Sequence, residues 1–306
     1  MTVFRRLRRL ISPGAPEPAR PVKVVTDSTA DLPPEIVQEL GITVVPLQVI
    51  FGEQAFRDGV DLTSEEFFRR LQQSPELPRT SQPSVGEFLL IYEQLAAQTD
   101  RILSIHLSSR FSGTVQTARR AAQELIGRCR IEVIDSGTVS MAMGFAVIAA
   151  ARAARDGGDL DACADAARSV LRRQRVAIAL DTLEYLRRGG RIGRAQAFLG
   201  SLLHLKPILT IRNGEAHPLT RVRTHRKALE EILRLCLEQG AVSQAAVMHA
   251  TSPDDARFLA EEVARRYPGI PLYTREIGPV IGVHGGPGLI GLAVVLAEEP
   301  SEDSTT

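Results

Sequence analysis

The 306-residue sequence contains no tryptophan, and aromatic residues make up only 5% of it. Its three cysteines, Cys129, Cys163 and Cys236, are widely separated and form no C-x-x-C pair. That odd, scattered set supplies neither a disulfide framework nor a thiolate zinc site, and it fits a reduced, cytoplasmic setting in which each thiol is a small buried apolar group. Net charge is also nearly absent, because 37 Lys+Arg offset 36 Asp+Glu to leave +1. So balanced a chain has no global field to hold a phosphate backbone, and nucleic acid is not an expected partner. No apolar run reaches the roughly 18 residues needed to cross a bilayer. The six histidines lack H-E-x-x-H spacing, and neither a G-x-x-x-x-G-K-[ST] loop nor a G-x-S-x-G elbow occurs. Zinc, nucleoside triphosphate and serine-hydrolase readings each lose their motif, and no metal or cofactor is expected.

What is present is an ordinary globular composition, 44% hydrophobic and 24% charged, at a length that suggests two domains by the prior of about 150 residues each. Residues 1–21 stand apart. Val3, Phe4, Leu7, Leu10 and Ile11 sit at helical spacing among Arg5, Arg6, Arg8 and Arg9. They suggest a short basic amphipathic helix or a disordered extension, with transient membrane-surface contact as a further reading and no apolar stretch of secretory-signal type. From Val22 to about Gln174, short β-type runs alternate with helical patterns, as a parallel α/β sheet requires. Strands are predicted at Val22 to Thr26, Ile42 to Phe51, Arg101 to Leu107 and Arg130 to Ile134, with helices starting at Pro34, Ser64, Val85, Gly113 and Thr138. Thr63 with Glu66, and Ser84 with Glu87, have capping-box spacing.

Beyond residue 175 the pattern changes to a smaller α+β domain with antiparallel strands, over 175–298, followed by a disordered tail at 299–306. Val176 to Leu180 and Ala245 to His249 read as strands, and Pro207 to Val222 as a hairpin turning at Asn213-Gly214. Helices are predicted near Ala195 to Leu205, at Arg226 to Gln239 and at Asp254 to Arg266, and Ile270 to Glu298 reads as strands around Gly-rich loops. The fold class is therefore α/β, with an N-terminal Rossmann-like parallel-sheet domain and a C-terminal α+β domain.

Three strand ends of the first domain carry hydroxyls and carboxylates: Asp27-Ser28-Thr29, Ser108-Ser109 and Asp135-Ser136. Strand ends of a parallel sheet share one rim, where ligands usually sit. Thr80-Ser81-Gln82-Pro83-Ser84 and Ser112-Gly113-Thr114 stand before helices whose free N–H groups favour an anion. The convergence predicts an anion site made of hydroxyl and backbone donors, although each segment taken singly also reads as a plain cap or turn. His284, in the loop Gly282-Val283-His284-Gly285-Gly286-Pro287-Gly288, and Arg191, after Gly189-Gly190, are the charged candidates to complete it. Met141 to Ile148 form a helix apolar on every side, suited either to lining a lipid tunnel or to an ordinary core.

The motifs V-T-D-S-T-A-D-L-P at 25–33, T-S-Q-P-S at 80–84, S-S-R-F-S-G-T at 108–114 and L-R-R-G-G-R-I at 186–192 resemble the DegV family. So do K-P-I-L-T-I-R-N-G-E at 206–215 and G-V-H-G-G-P-G at 282–288, and the resemblance runs from about 22 to 297. It implies the DegV fold and binding of a long-chain fatty acid. It also implies kinship with FakB, the non-catalytic lipid-binding subunit that presents the acyl carboxylate to FakA, the ATP-binding subunit of bacterial fatty acid kinase. By the same resemblance Thr80, Ser112, His284 and Arg191 hold the carboxylate, with Ser81, Ser109 and Gly113 as secondary candidates. Gly285 departs from the Thr or similar residue common after the histidine. Alternatives are an acyl hydrolase using Ser112 as nucleophile and His284 as base, and a lipid sensor with no kinase partner.

Overall fold

The computed structural model describes residues 20–199, 205–238 and 240–298. The basic helix expected within 1–21 falls outside them, as do the tail at 299–306 and residues 200–204 of the helix expected near Ala195 to Leu205, whose described part is a short 3-10 segment, Gly193–Phe198, closed by an extended Leu199.

Lys23–Asp27, Thr43–Val45, Arg101–His106 and Arg130–Asp135 form a fully parallel four-stranded sheet, with Lys23–Asp27 between Thr43–Val45 and Arg101–His106. Side chains alternate across a strand, and here both faces are covered. Val25 and Ile102 pack under the helices Val85–Ala96 and Thr114–Gln123, whereas Val24, Leu103 and Ile105 face the helix Met141–Arg155. That is why these strands read as nearly continuous apolar runs. Both capping-box spacings mark helix starts. Ser84 and Glu87 close the full reciprocal box, whereas Thr63 accepts from the Glu66 amide while the Glu66 carboxylate is drawn to Arg69 and Arg70.

The run from Ile42 to Phe51 is two strands, not one. Pro46 lacks an N–H for the ladder, and the next amide, Leu47 N–H, donates to Ser28 Oγ at 3.0 Å. Thr43–Val45 therefore stays in the parallel sheet, while Gln48–Phe51 pairs antiparallel with Gln54–Arg57 and Arg79–Ser81 in a small separate sheet. The other two strands of this sheet, and the helix Leu160–Arg173 capped by Asp159, have no counterpart among the predicted elements.

A six-stranded mixed sheet carries the rest. Its order is Glu215–Val222, Lys206–Arg212, Gln174–Ala179, Ile290–Leu296, Val242–His249 and Leu272–Glu276, antiparallel throughout except for the last pair. The hairpin turns at Asn213 and Gly214 as predicted, both at positive φ (51° and 82°). Helices His225–Leu237 and Pro253–Arg266 bury Ile232 and Leu259 on one face of the sheet. The other face turns toward Met141–Arg155, where Phe145 and Tyr273 lie with ring centroids 6.2 Å apart. That helix is thus enclosed between the two sheets, and every residue from Met141 to Ile148 is buried. Its all-round apolarity is explained by core packing; Val139, just before it, supplies cavity wall instead.

Candidate functional site

Between the two sheets lies a cavity of about 410 Å³, within the range of small-ligand sites. Leu47, Leu107 and Val139 line it from the parallel-sheet side, and Ile178, Leu209 and Leu289 from the mixed-sheet side. Its polar wall holds Thr80, Ser81, Gln82, Ser112, Arg191 and His284. All four principal residues named from the sequence therefore meet at one place, although they come from separate stretches of chain. Gln82 was not among them; its amide donates to Thr117 Oγ1 at 2.7 Å.

Local structure aims each group. Thr80 sits on the strand Arg79–Ser81 and its hydroxyl lies 3.0 Å from His284 Nε2. Ser112 precedes the helix Thr114–Gln123, with its Oγ 2.9 Å from Thr114 Oγ1. After the short helix Glu184–Arg188, Gly190 takes φ of 70° and turns the chain so that Arg191 points inward. The Arg191 guanidinium donates to the Phe111 carbonyl at 3.0 Å and to the Gly189 carbonyl at 2.7 Å, tying the mixed-sheet side to the Ser112 loop.

His284 is on a helix rather than in a glycine-rich loop. Pro279 preorganises the start of Pro279–Gly285, and Gly286 at φ of 73° ends it. Its glycines serve close packing: a Cβ at Gly282 would lie 2.4 Å from a Phe67 ring carbon, and one at Gly285 2.4 Å from Leu289. Burial, helped by the Arg191 charge, pushes His284 down to about 4, so the imidazole is neutral at physiological pH. Its Nδ1 is buried without a hydrogen-bond partner and faces Gly189, where a Cβ would stand only 2.2 Å away. Gly189→Ala is accordingly expected to displace the ring and break its contact with Thr80. Imidazole NMR resonances should shift and the His284 titration should move back toward neutrality; an unchanged titration would refute this packing role.

The secondary candidates divide. Ser81 is in the cavity wall. Ser109 lines a neighbouring polar cleft, its amide donating to Asp135 Oδ1 at 3.2 Å. Gly113 faces Gln82, where a Cβ would fall 2.2 Å from Oε1. The strand-end rim also differs from expectation, because its polar groups are engaged internally. Asp27 accepts from the Thr29 amide and hydroxyl and from the Leu107 amide, and its Oδ2 lies 2.9 Å from His106 Nδ1. Ser108 Oγ donates to the Gly214 carbonyl. The hydroxyls that reach the cavity are instead those of the next segments out, Thr80 and Ser112 among them.

Two residues were not singled out by the sequence reading. Asp31 and Asp58 are buried at the start of the helix that carries His284. Asp31 Oδ1 accepts the Gly278 amide at 2.8 Å and Oδ2 the Ser140 hydroxyl, while Asp58 accepts from Ser28 Oγ at 2.7 Å and from the Val280 amide. Burial pushes Asp31 up to about 6 and Asp58 up to about 7, the latter reinforced by the neighbouring Asp31 charge. Among the described residues no cluster of His, Cys, Asp and Glu is arranged to hold a metal ion, and no helix is long and apolar enough to cross a membrane.

Comparison with known proteins agrees with this architecture. The family model for uncharacterised proteins of the DegV family matches residues 21–297. A DegV domain-containing protein of Streptomyces coelicolor is 40% identical over 280 residues, covering 90% of this chain and 99% of its own length. Protein DegV of Bacillus subtilis is 37% identical over 275 residues, covering 89% and 98%. Among solved structures, a DegV family protein from Thermus thermophilus, described by its fatty acid binding, superposes with TM-score 0.84 at 37% identity, over 90% of this chain and 100% of that one. DegV from Bacillus subtilis, described as a fatty acid binding protein, gives TM-score 0.82 at 35% identity, over 91% and 100%. With a match that spans nearly the whole chain, both sheets and the cavity between them, this protein belongs to the DegV family.

Proposed function

We propose that this protein binds a long-chain fatty acid, with the acyl chain in the cavity between the sheets and the carboxylate at Thr80, Ser112, His284 and Arg191. The observation that carries the reading is a cavity with greasy walls and one polar end built from neutral hydroxyls, a neutral imidazole and one guanidinium. A fatty acid carboxylate ionises near the reference for Glu, about 4.3, so it enters as an anion. Burying its chain is worth about 0.8 kcal/mol per methylene. Serine and threonine hydroxyls orient the carboxylate without engaging all its lone pairs. It is thereby left competent to attack a phosphoryl group without a general base.

That chemistry supports presentation of the acid to a separate ATP-dependent kinase subunit, whose own charges and metal would stabilise the transferring phosphoryl group. The buried, unpaired thiols fit work in a reducing, cytoplasmic compartment. The hydrolase alternative is disfavoured by geometry, since His284 Nε2 meets Thr80 and Ser112 Oγ meets Thr114.

Gently purified protein is expected to release fatty acid on denaturing mass spectrometry and, alone with ATP, to make no acyl-phosphate. Ser112→Ala or Thr80→Ala should each weaken oleate and palmitate binding by about 1.5 to 3 kcal/mol, the scale of one hydrogen bond to a charged group, while the fold persists. Affinities equal to wild type in both variants would reject the carboxylate assignment.

A further inference from the structure

Asp31 and Asp58 stand behind the acyl cavity without bordering it, yet three stretches of its wall are fastened to them. Asp31 accepts from the Gly278 amide and the Ser140 hydroxyl, the residues just before the helix Pro279–Gly285 and just after Val139. Asp58 accepts from the Val280 amide and the Ser28 hydroxyl. Ser28 Oγ in turn accepts the Leu47 amide, and the Asp58 amide donates to the Leu47 carbonyl at 2.8 Å. Leu47, Val139 and the helix bearing Val280, Ile281 and His284 are thereby tied to one pair of carboxyls. Ser140 is held at φ of 57° and ψ of −153°, a conformation that favours glycine. Its amide donates to the Thr29 carbonyl at 2.8 Å and its hydroxyl to Asp31, and such a strained residue persists only where its surroundings over-determine it.

The two carboxyls converge on Gly278, where a Cβ would lie 3.1 Å from Asp31 Oδ1 and 3.2 Å from Asp58 Oδ1. Among the described residues no cation pairs with either. Arg275 Nε donates to the Asp31 backbone carbonyl at 3.2 Å, and the neighbouring Asp27 has His106 Nδ1 at 2.9 Å. Two like charges so close in a dry interior repel strongly, and burial holds both protons above the ordinary carboxylate range. We propose that Asp31 and Asp58 are positioning residues for the lipid, a proton-holding latch that draws Leu47, Val139 and the His284 helix together around the acyl chain. Full ionisation sets the fastened segments against one another, so the acid is held more firmly while the latch keeps its proton. By linkage, the bound acid tightens the hold on that proton. The inference rests on the fatty-acid reading of the cavity and adds a claim about two residues that never touch the lipid. The other charged groups on elements packed around the pair are Glu276, His249, Glu65, His284 and the Arg57–Asp61 pair. They remain in the variants below, so comparison removes their contribution.

The test measures palmitate binding by the whole protein between pH 6 and 9, for wild type, Asp58→Asn and Asp31→Asn. An amide stands in for the protonated carboxyl, with one acceptor and a donor, and Asn tolerates the left-handed φ of 50° at position 31. Wild type is expected to lose affinity roughly tenfold across this range, the scale of coupling between linked sites. Asp58→Asn should hold its affinity, and Asp31→Asn, with the like charge gone, should fall less steeply than wild type. The ratio of variant to wild type cancels the ionisation of palmitate itself. A ligand-free arm follows hydrogen exchange, in which protection of the Val280 to His284 amides, taken relative to the variants, should drop in wild type as pH rises. Variant affinities that fall as steeply as wild type, or exchange ratios that do not change with pH, overturn the latch. If Asp58→Asn does not fold, the slope of Asp31→Asn decides. Should wild type bind no palmitate at any pH, the fatty-acid reading falls, and the exchange ratio alone decides the latch.

Discussion

Shortening a bound acyl chain by two carbons is expected to weaken binding roughly fifteenfold, because two buried methylenes carry about 1.6 kcal/mol of transfer free energy. Going from palmitate to laurate removes four, so the affinity ratio should reach a few hundred. Among the described residues Thr210 is the one hydroxyl lining the cavity besides Thr80, Ser81 and Ser112, so a lost methylene gains little compensation from new polar contacts along the greasy walls. Chains too long for the space should stop gaining affinity, and the plateau would measure the depth of the cavity. Titration of a saturated fatty acid series reads this directly. A flat series from laurate to palmitate would mean that the tail lies outside the apolar interior, contrary to the proposed binding mode.

The second large effect concerns Asp31 and Asp58. Both carboxyls hold their proton more tightly in the folded chain than at the reference of 3.8, up to about 6 and about 7. Between pH 4 and 7 the unfolded chain therefore releases protons that the folded chain keeps, and stability from these groups is greatest below 4 and declines as pH rises through that window. His284, pushed down to about 4, acts in the opposite sense and adds stability as pH rises from about 4 to 6.5. Wild type should accordingly show a muted pH profile, and the difference between variants is more telling than either curve. Asp58→Asn removes a buried charge that faces Asp31 and Asp27 while keeping an acceptor for the Val280 amide. The variant should match wild type near pH 4 and become more stable by a few kcal/mol near pH 8, because each tenfold gain in proton affinity on folding corresponds to about 1.4 kcal/mol. Chemical denaturation at both pH values checks this; a stability difference that does not vary with pH would show that Asp58 ionises as readily folded as unfolded.

Local chemistry makes much of this molecule readable from its sequence. The hydroxyl of Ser84 and the carboxylate of Glu87 lie three residues apart, and Asn213-Gly214 has the left-handed freedom its hairpin uses. The four residues at the polar wall are identifiable because each lies in a short distinctive motif. Features that depend on distant partners are not readable in this way. Nothing near Asp58 signals that Ser28 and Val280 will enclose it. The glycines around His284 suggest a loop because their neighbours, Phe67 and Leu289, are not apparent from the motif itself. The all-apolar helix at Met141 to Ile148 is ambiguous for a similar reason, as one helix between two sheets and one beside a lipid show the same periodicity.

Ile290–Leu296 lies in the middle of the mixed sheet, between Gln174–Ala179 and Val242–His249. During synthesis on the ribosome this strand emerges after all its neighbours, so the sheet stays divided in two until Ile290–Leu296 is delivered. Thr80 and Ser112 are translated long before His284, and a nascent chain cannot close the polar wall early. On the proposed reading, a bound acid therefore finds its complete site only once His284 and the strand after it are in place.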